Sequence, residues 1–294
     1  MFWQLIANGL VTGSVFAIAA VGVSIVYGIL RLVNFAYGDF LSFGALAAYA
    51  FNGPLHIALV PAALLAMVCT AALSWLLDAV LWRPLRARRA GFMSLFLASI
   101  GLALILRQAL FLGYGPQPET YRVNPYKVYV LGSVRLGEGQ FIAVVTAVLV
   151  IVLVGLFLAR TTLGRTMRAL ADDRSLAAIA GINVGRVIAF TWLLSGLLAG
   201  IAGVLAGLAQ SSFDPNFGFQ LLLPVFAAVV LGGIGSAYGA LAGGLTLGLA
   251  MELSTWPPFF GGVNPVYKPV VAFVVLTAAL LVRPQGLFGS ARLV

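Results

Sequence analysis

Histidine, cysteine and charge are all scarce in this sequence, and each shortage closes off a chemistry. Of 294 residues, 9% are Asp, Glu, Lys or Arg, and there is one Cys and one His. Cys69 stands alone in an apolar stretch, which excludes a disulfide framework and a thiolate metal site. His56 has no second imidazole to share a metal, so it reads as an interfacial polar residue and not as a ligand. Ser236, in GIGSAYG, resembles an intramembrane nucleophile, yet a Ser–His dyad would have to recruit the peripheral His56. Asp39, in YGDF, lacks a second acid convincingly at its depth, which argues against an aspartyl pair. The sequence holds no Gly-Lys pair, because its two lysines follow Tyr126 and Tyr267. A phosphate-cradling G-x-x-x-x-G-K-[ST] loop is therefore excluded. The expectation is a non-catalytic chain that binds no cofactor or metal of its own.

What is abundant is apolar surface. Hydrophobic residues make up 62% of the chain and its mean hydropathy is +1.08, values of an integral membrane protein. A crossing takes about 20 apolar residues for about 30 Å of hydrocarbon. Nine candidates stand out, near 5–30, 35–52, 55–82, 92–113, 141–159, 187–209, 220–235, 237–253 and 266–282. The expected fold is all-α, one polytopic domain over 1–294 with 8–10 transmembrane helices. The second, seventh and eighth candidates are short and Gly-rich, so some are expected to be broken or re-entrant. The first has no basic residue before it, is too long for a leader's core and lacks a small-residue cleavage site. It reads as a true span with a translocated N-terminus.

The net charge of +9 has a topological explanation. Arg31, Arg83, Arg86, Arg88, Arg89, Arg160, Arg165, Arg168, Arg174, Arg186, Arg283 and Arg292 fall on one side of a nine-span arrangement. Arg122, Lys127, Arg135 and Lys268 fall on the other, and Arg107 lies inside a span. That is the positive-inside pattern; it places the C-terminus in the cytoplasm and argues against a nucleic-acid partner. The largest outer loop is 114–140, where YKVYV and the residues after Gly132-Ser133 predict a β-hairpin around a two-residue II′ turn. The segment 210–219 reads as an outer turn.

Two four-span halves flanking the fifth span would have opposite topology, as in inverted-repeat transporters. Each half holds a Gly-interrupted segment, Asn34–Ala48 and Val229–Gly244. Gly235, Gly239 and Gly243 have the spacing of close helix packing. Unwound backbone at that depth also suits a solute route. The expected route residues are Asn34, Tyr37, Gly38 and Asp39 in the first half, with Gly232, Gly233, Gly235 and Ser236 in the second. Asp39 could pair with Arg31, Asp78 lies close to Arg83, and Glu252 is near an outer boundary. Arg107 can reach headgroups or a vestibule.

The most informative stretch runs from Arg160 to Arg186, with five Arg and no Lys between two long apolar spans. Asp172 or Asp173 can cap a short helix over Arg174–Ala180. Gly181 sits where a left-handed residue would end it, and Asn183 can cap the next span. Seven helical residues span about 10 Å, the size of a docking element. A membrane protein with such an element is expected to borrow its motor from a partner.

Four segments in order carry a family resemblance over nearly the whole chain. They are Asn8–Phe40, Ala169–Ile188, FDPNFGF followed by VVLGGIGSAYGALAGG, and RPQGLFG. The chain resembles the LivH-type permease subunits of branched-chain amino acid ABC importers. The resemblance implies passage of branched-chain aliphatic amino acids across a bacterial cytoplasmic membrane, with short amides or urea as alternative cargo. It implies a second related permease subunit, two nucleotide-binding ATPase subunits that hold ATP and Mg, and an extracytoplasmic amino-acid-binding protein. The family's docking segment maps onto Arg168, Ala169, Ala171, Asp172, Asp173, Ala177, Gly181 and Ile182. One departure is plain: the family reads NFAHGDF or NFAHGEF, and this sequence has Tyr37 at the His position. The competing reading is a self-contained secondary transporter or channel coupled through Asp39 or Arg107.

Overall fold

A computed structural model describes residues 2–123, 127–257, 262–283 and 285–288. Tyr126 of YKVYV, residues 258–261, Pro284 and Gly289 of RPQGLFG and Arg292 lie outside these. The described chain is helical apart from one hairpin. Its helices are α1 (Phe2–Leu30), α2 (Tyr37–Asn52), α3 (Leu59–Leu77), α4 (Arg83–Ala87), α5 (Phe92–Tyr114), α6 (Glu138–Arg160), α7 (Thr162–Asp172), α8 (Arg174–Ile179), α9 (Val184–Gln210), α10 (Phe217–Gly232), α11 (Ala237–Leu253) and α12 (Lys268–Val282).

A π-helical turn, Asp78–Trp82, joins α3 to α4 without a break. Trp82 stacks on Trp192 there, with ring centroids 5.9 Å apart. Six of these stretches are long and apolar enough to cross a membrane: 2–30, 59–87, 92–114, 138–160, 184–210 and 265–282. The other three expected crossings correspond to α2 and α10, of 16 residues each, and α11, of 17. At about 1.5 Å per residue these three reach about 24–26 Å.

Helix α1 is the buried centre, packed on α9, α10 and α11, while α3, α5, α6 and α12 turn broad apolar faces outward. The α1–α11 contact is close because both helices present small residues: a Cβ on Gly244 would strike the Ala17 backbone. Backbones that approach this way gain dispersion contact without burying a polar group.

The hairpin forms as its turn residues demand. Strand β1 (Val128–Leu131) pairs antiparallel with β2 (Val134–Gly137), leaving Gly132-Ser133 as the turn, with Gly132 at φ +61°. The side-chain amide of Gln4 clamps the Arg135 backbone from both sides, at 2.8 and 2.7 Å. An isolated bridge pairs Glu119 with Phe213, and Asn52 accepts from the Arg122 amide at 2.7 Å. The start of α1, the hairpin, the 114–123 stretch and the turn before α10 therefore share one end of the molecule. The residues after Leu30, helices α7 and α8, and the α10–α11 turn share the opposite end.

The two stretches that enter α2 and α10 are built alike. Arg31 (φ +52°) and Ser211 (φ +66°) both take left-handed backbone. Asn34 Oδ1 accepts from the Ala36 amide and Asp214 Oδ1 from the Asn216 amide, each at 3.1 Å. The amides of Tyr37 and Phe217 donate to the carbonyls of Asn34 and Asp214, each at 3.2 Å. Two helices of equal length follow, opening on Tyr37-Gly38 and Phe217-Gly218. They pack antiparallel across those glycines, and the Gly218 amide donates to Ser42 Oγ at 3.0 Å.

Candidate functional site: the capped helix pair and its cavity

The segment after Arg160 folds as two helices, one more than its sequence predicted. Helix α7 begins where Thr161 Oγ1 accepts from the Gly164 amide at 3.0 Å. It buries Gly164, Met167 and Leu170 on one face and leaves its polar face outward. Arg168 ties it back through a guanidinium hydrogen bond to the Leu158 carbonyl.

The second helix, α8, carries the expected caps at both ends. Asp173 is its N-cap: Oδ1 accepts from the amides of Ser175 (2.8 Å) and Leu176 (3.0 Å) and from the Ser175 hydroxyl (2.8 Å). The Leu176 amide, followed by the Ser175 hydroxyl and amide, holds the Asp173 carboxyl below its ordinary range. At the other end Gly181 lies at φ +82°. The Ile182 amide donates to Ala177 O and the Gly181 amide to Ala178 O, the paired bonds of a Schellman ending. Asn183 then caps α9 by accepting from the Arg186 amide at 3.0 Å.

Fixed at both ends, α8 presents apolar side chains to its surroundings. Leu176 is 65% exposed and Ile179 84% exposed, while Ala177 anchors the inner face. Of the expected docking residues, Ala177 is buried, Ala171 half-buried, and Arg168, Ala169, Asp172, Asp173, Gly181 and the edge of Ile182 lie on the surface or close to it.

Behind α7 lies a cavity of about 680 Å³. Its walls come from the far end of α1, from α7, and from the turn between α10 and α11. The chain beyond α12 covers one side: the Leu287 and Phe288 amides donate to Leu231 O and Gly232 O at 2.8 and 3.0 Å. Those bonds satisfy two of the carbonyls that the end of α10 leaves unpaired.

The expected route residues fall into two groups. Asn34, Tyr37, Gly38 and Asp39 are packed inside the helices, with the Tyr37 hydroxyl against Gly22. Gly232 and Gly233 end α10, while Gly235 and Ser236 face the cavity.

Asp39 does not pair with Arg31. Its carboxylate, 0% exposed, accepts from Arg107 Nε at 3.0 Å, and the Arg107 guanidinium, 12% exposed, stacks 3.9 Å from the Phe219 ring centroid. Arg107 therefore turns into the protein instead of toward headgroups, because an unpaired buried carboxylate would cost far more than a guanidinium drawn inward. Asp39 and Phe219 stand at matching places in the two like-built stretches, one residue beyond Gly38 and Gly218. Asp78 pairs with Arg86 at 2.6 Å rather than with its neighbour Arg83, since the π turn resets the helix face. Glu252 pairs with Lys268 at 2.7 Å.

Residues 5–280 match the family described as "Branched-chain amino acid transport system / permease component". The chain belongs to this family. Among relatives, the branched-chain amino acid permease BraD of Pseudomonas aeruginosa is 33% identical across 98% of this chain and 96% of its own length. LivH of Escherichia coli K12 is 32% identical over the same shares. The probable LivH of Methanocaldococcus jannaschii is 27% identical over 97% and 92%. Among solved structures, the PsaBC complex of Streptococcus pneumoniae with a Fab matches at TM-score 0.50 and 16% identity, covering 96% of this chain and 92% of that one. That likeness concerns fold alone. Membership of the permease family makes the chain a transport component built to work with other subunits, and the helix pair α7–α8 is the element to examine for contact with them.

Proposed function

We propose that this chain is the membrane-spanning subunit of an ABC importer that moves branched-chain aliphatic amino acids inward across a bacterial cytoplasmic membrane. A second related permease, two ATPase subunits holding ATP and Mg, and an extracytoplasmic binding protein complete the assembly. The observation that carries this reading is α8, a six-residue helix capped at both ends with Leu176 and Ile179 facing outward. A chain without a phosphate loop needs such a handle on an external motor, and a self-powered carrier has no use for one.

In this reading the α7–α8 end and the C-terminus are cytoplasmic, and the start of α1 and the hairpin are outside. The like-built entries to α2 and α10 support an inverted-topology repeat, with Asn34–Gly38 answering Asp214–Gly218. They favour that register over the pairing of Asn34–Ala48 with Val229–Gly244. Helices α2, α10 and α11 complete nine crossings, and the Gly-interrupted stretches line the solute route between subunits.

The test is co-expression with candidate Walker-motif subunits. Co-purification of wild-type chain with them, reduced by Leu176→Asp and Ile179→Asp, supports the proposal; unchanged co-purification of both variants contradicts it. The Asp39–Arg107 pair keeps one second reading in play, a secondary transporter coupled to protons. That reading requires gradient-driven uptake by this chain alone.

A further inference from the structure

The cavity behind α7 joins residues from the docking segment to residues of the expected route, and its lining sorts into a definite chemistry. Arg31, Arg168 and Asp172 line the wall, two cationic residues and one acidic, and the Arg168 guanidinium also donates to the Leu158 carbonyl. Ser236 marks the start of α11, a 17-residue helix with no acid in its first turn; its hydroxyl accepts from the Gly239 amide at 3.1 Å, and the positive end of the helix dipole lies at the wall. Ser24 is wholly buried in the same wall, and its hydroxyl has no hydrogen-bond partner among the described residues. Ile25, Ile29, Val230 and Ile234 supply an aliphatic surface. The volume of about 680 Å³ lies within the usual small-molecule range of about 300–1,000 Å³.

Cations, one acid, an unpaired hydroxyl and aliphatic walls together suit a zwitterion with an aliphatic body. The carboxylate meets the guanidinium side and the α11 amide end, the ammonium meets Asp172, and the side chain lies against the isoleucines. A plain anion, inorganic phosphate or a phospholipid headgroup, would be attracted by the arginines and opposed by Asp172. We propose that the cavity is a second, inward-facing site for an aliphatic amino acid, and that its occupant bridges α7 to α1 and α11. Occupancy fixes the docking segment against the transport helices, so accumulated product slows the motor. The regulatory part rests on the importer reading; the binding part does not.

The probe is radiolabelled leucine, added to the permease–ATPase complex in nanodiscs with no binding protein and no nucleotide. Wild type is expected to bind it saturably. Leucine methyl ester, lacking the carboxylate, and 4-methylpentanoate, lacking the ammonium, are expected to compete at least tenfold less well. Arg31→Gln and Ile234→Trp, both at exposed positions of the wall, are expected to weaken binding about tenfold. With saturated binding protein present, excess leucine should lower ATP hydrolysis in wild type and not in Ile234→Trp. Absence of leucine binding, or competition by either analogue as strong as that by unlabelled leucine, overturns the site even if the variants fail to assemble. Leucine binding indifferent to both substitutions overturns it as well, as does displacement of leucine by phosphatidylglycerol or phosphate, which would assign the cavity to an anion. Loss of ATP-dependent uptake in wild type would instead strike the importer reading and leave the binding result standing.

Discussion

Gly181 offers the sharpest way to perturb α8, the proposed docking helix, without touching its packing. Its φ of +82° lies where L-residues are strained, and no atom lies within 4 Å of the place a Cβ would occupy. The cost of Gly181→Ala is then conformational alone, about 1 kcal/mol. At 1.4 kcal/mol per factor of ten, that lowers the equilibrium constant for properly ended α8 about fivefold. Asn enters the left-handed region with little penalty, so Gly181→Asn should remain near wild type. Gly181→Arg carries the same backbone cost and adds a bulky cation at the docking face. Titrating the ATPase subunits onto permease nanodiscs should rank affinity as Gly, then Asn, then Ala, then Arg, with Ala weaker than Gly by up to about fivefold. Uptake should fall in the same order while membrane insertion persists. A Gly181→Arg variant that stimulates its ATPases and transports normally would refute the reasoning, as would Asn and Ala variants that behave alike.

Four further outcomes follow from the geometry. Asp39→Asn leaves Arg107 buried without its counter-charge and should destabilise by about 3–5 kcal/mol; Asp39→Leu with Arg107→Leu should cost less than either single change, read by thermal unfolding in detergent. Gly203→Ala would press a Cβ into the Leu41 backbone and should cost about 1–3 kcal/mol, whereas Gly155→Ala, with open space beside it, should be neutral or slightly stabilising. The Asp173 cap contributes fully above the unfolded carboxyl value of about 3.9 and is lost as pH falls through the lower folded value. Exchange protection of the Leu176 amide should thus stay flat at neutral pH and drop only in strong acid. Single Cys probes at Tyr37 and Ser236 should react with small aqueous thiol reagents in a nucleotide-dependent way; inaccessibility in every state would reduce these stretches to helix packing.

What could be read from sequence was mostly local. The caps of α8 and α9 and the two-residue hairpin turn depend on residues within three or four positions of each other, and all stand where their chemistry puts them. Helix α7 was missed although its signals are present: Thr161 at the cap, then Met167 and Leu170 on one face. The partners of Asp39 and Asp78 escaped for different reasons. Arg107 is 68 positions from Asp39, a pairing that only tertiary packing creates, whereas the π turn shifts Asp78 from its near neighbour to Arg86. The expected likeness of the two halves rested on shared glycines. What the structure shows alike is the backbone at the entries to α2 and α10, two Asx turns and two left-handed residues, which amino-acid identity barely encodes.

Proteoliposome uptake of labelled leucine tests the central claim most directly. With the second permease, ATPase subunits, ATP and an external binding protein present, leucine should accumulate, and omission of any one should abolish it. Accumulation driven by a proton or sodium gradient in vesicles holding this chain alone would contradict the account.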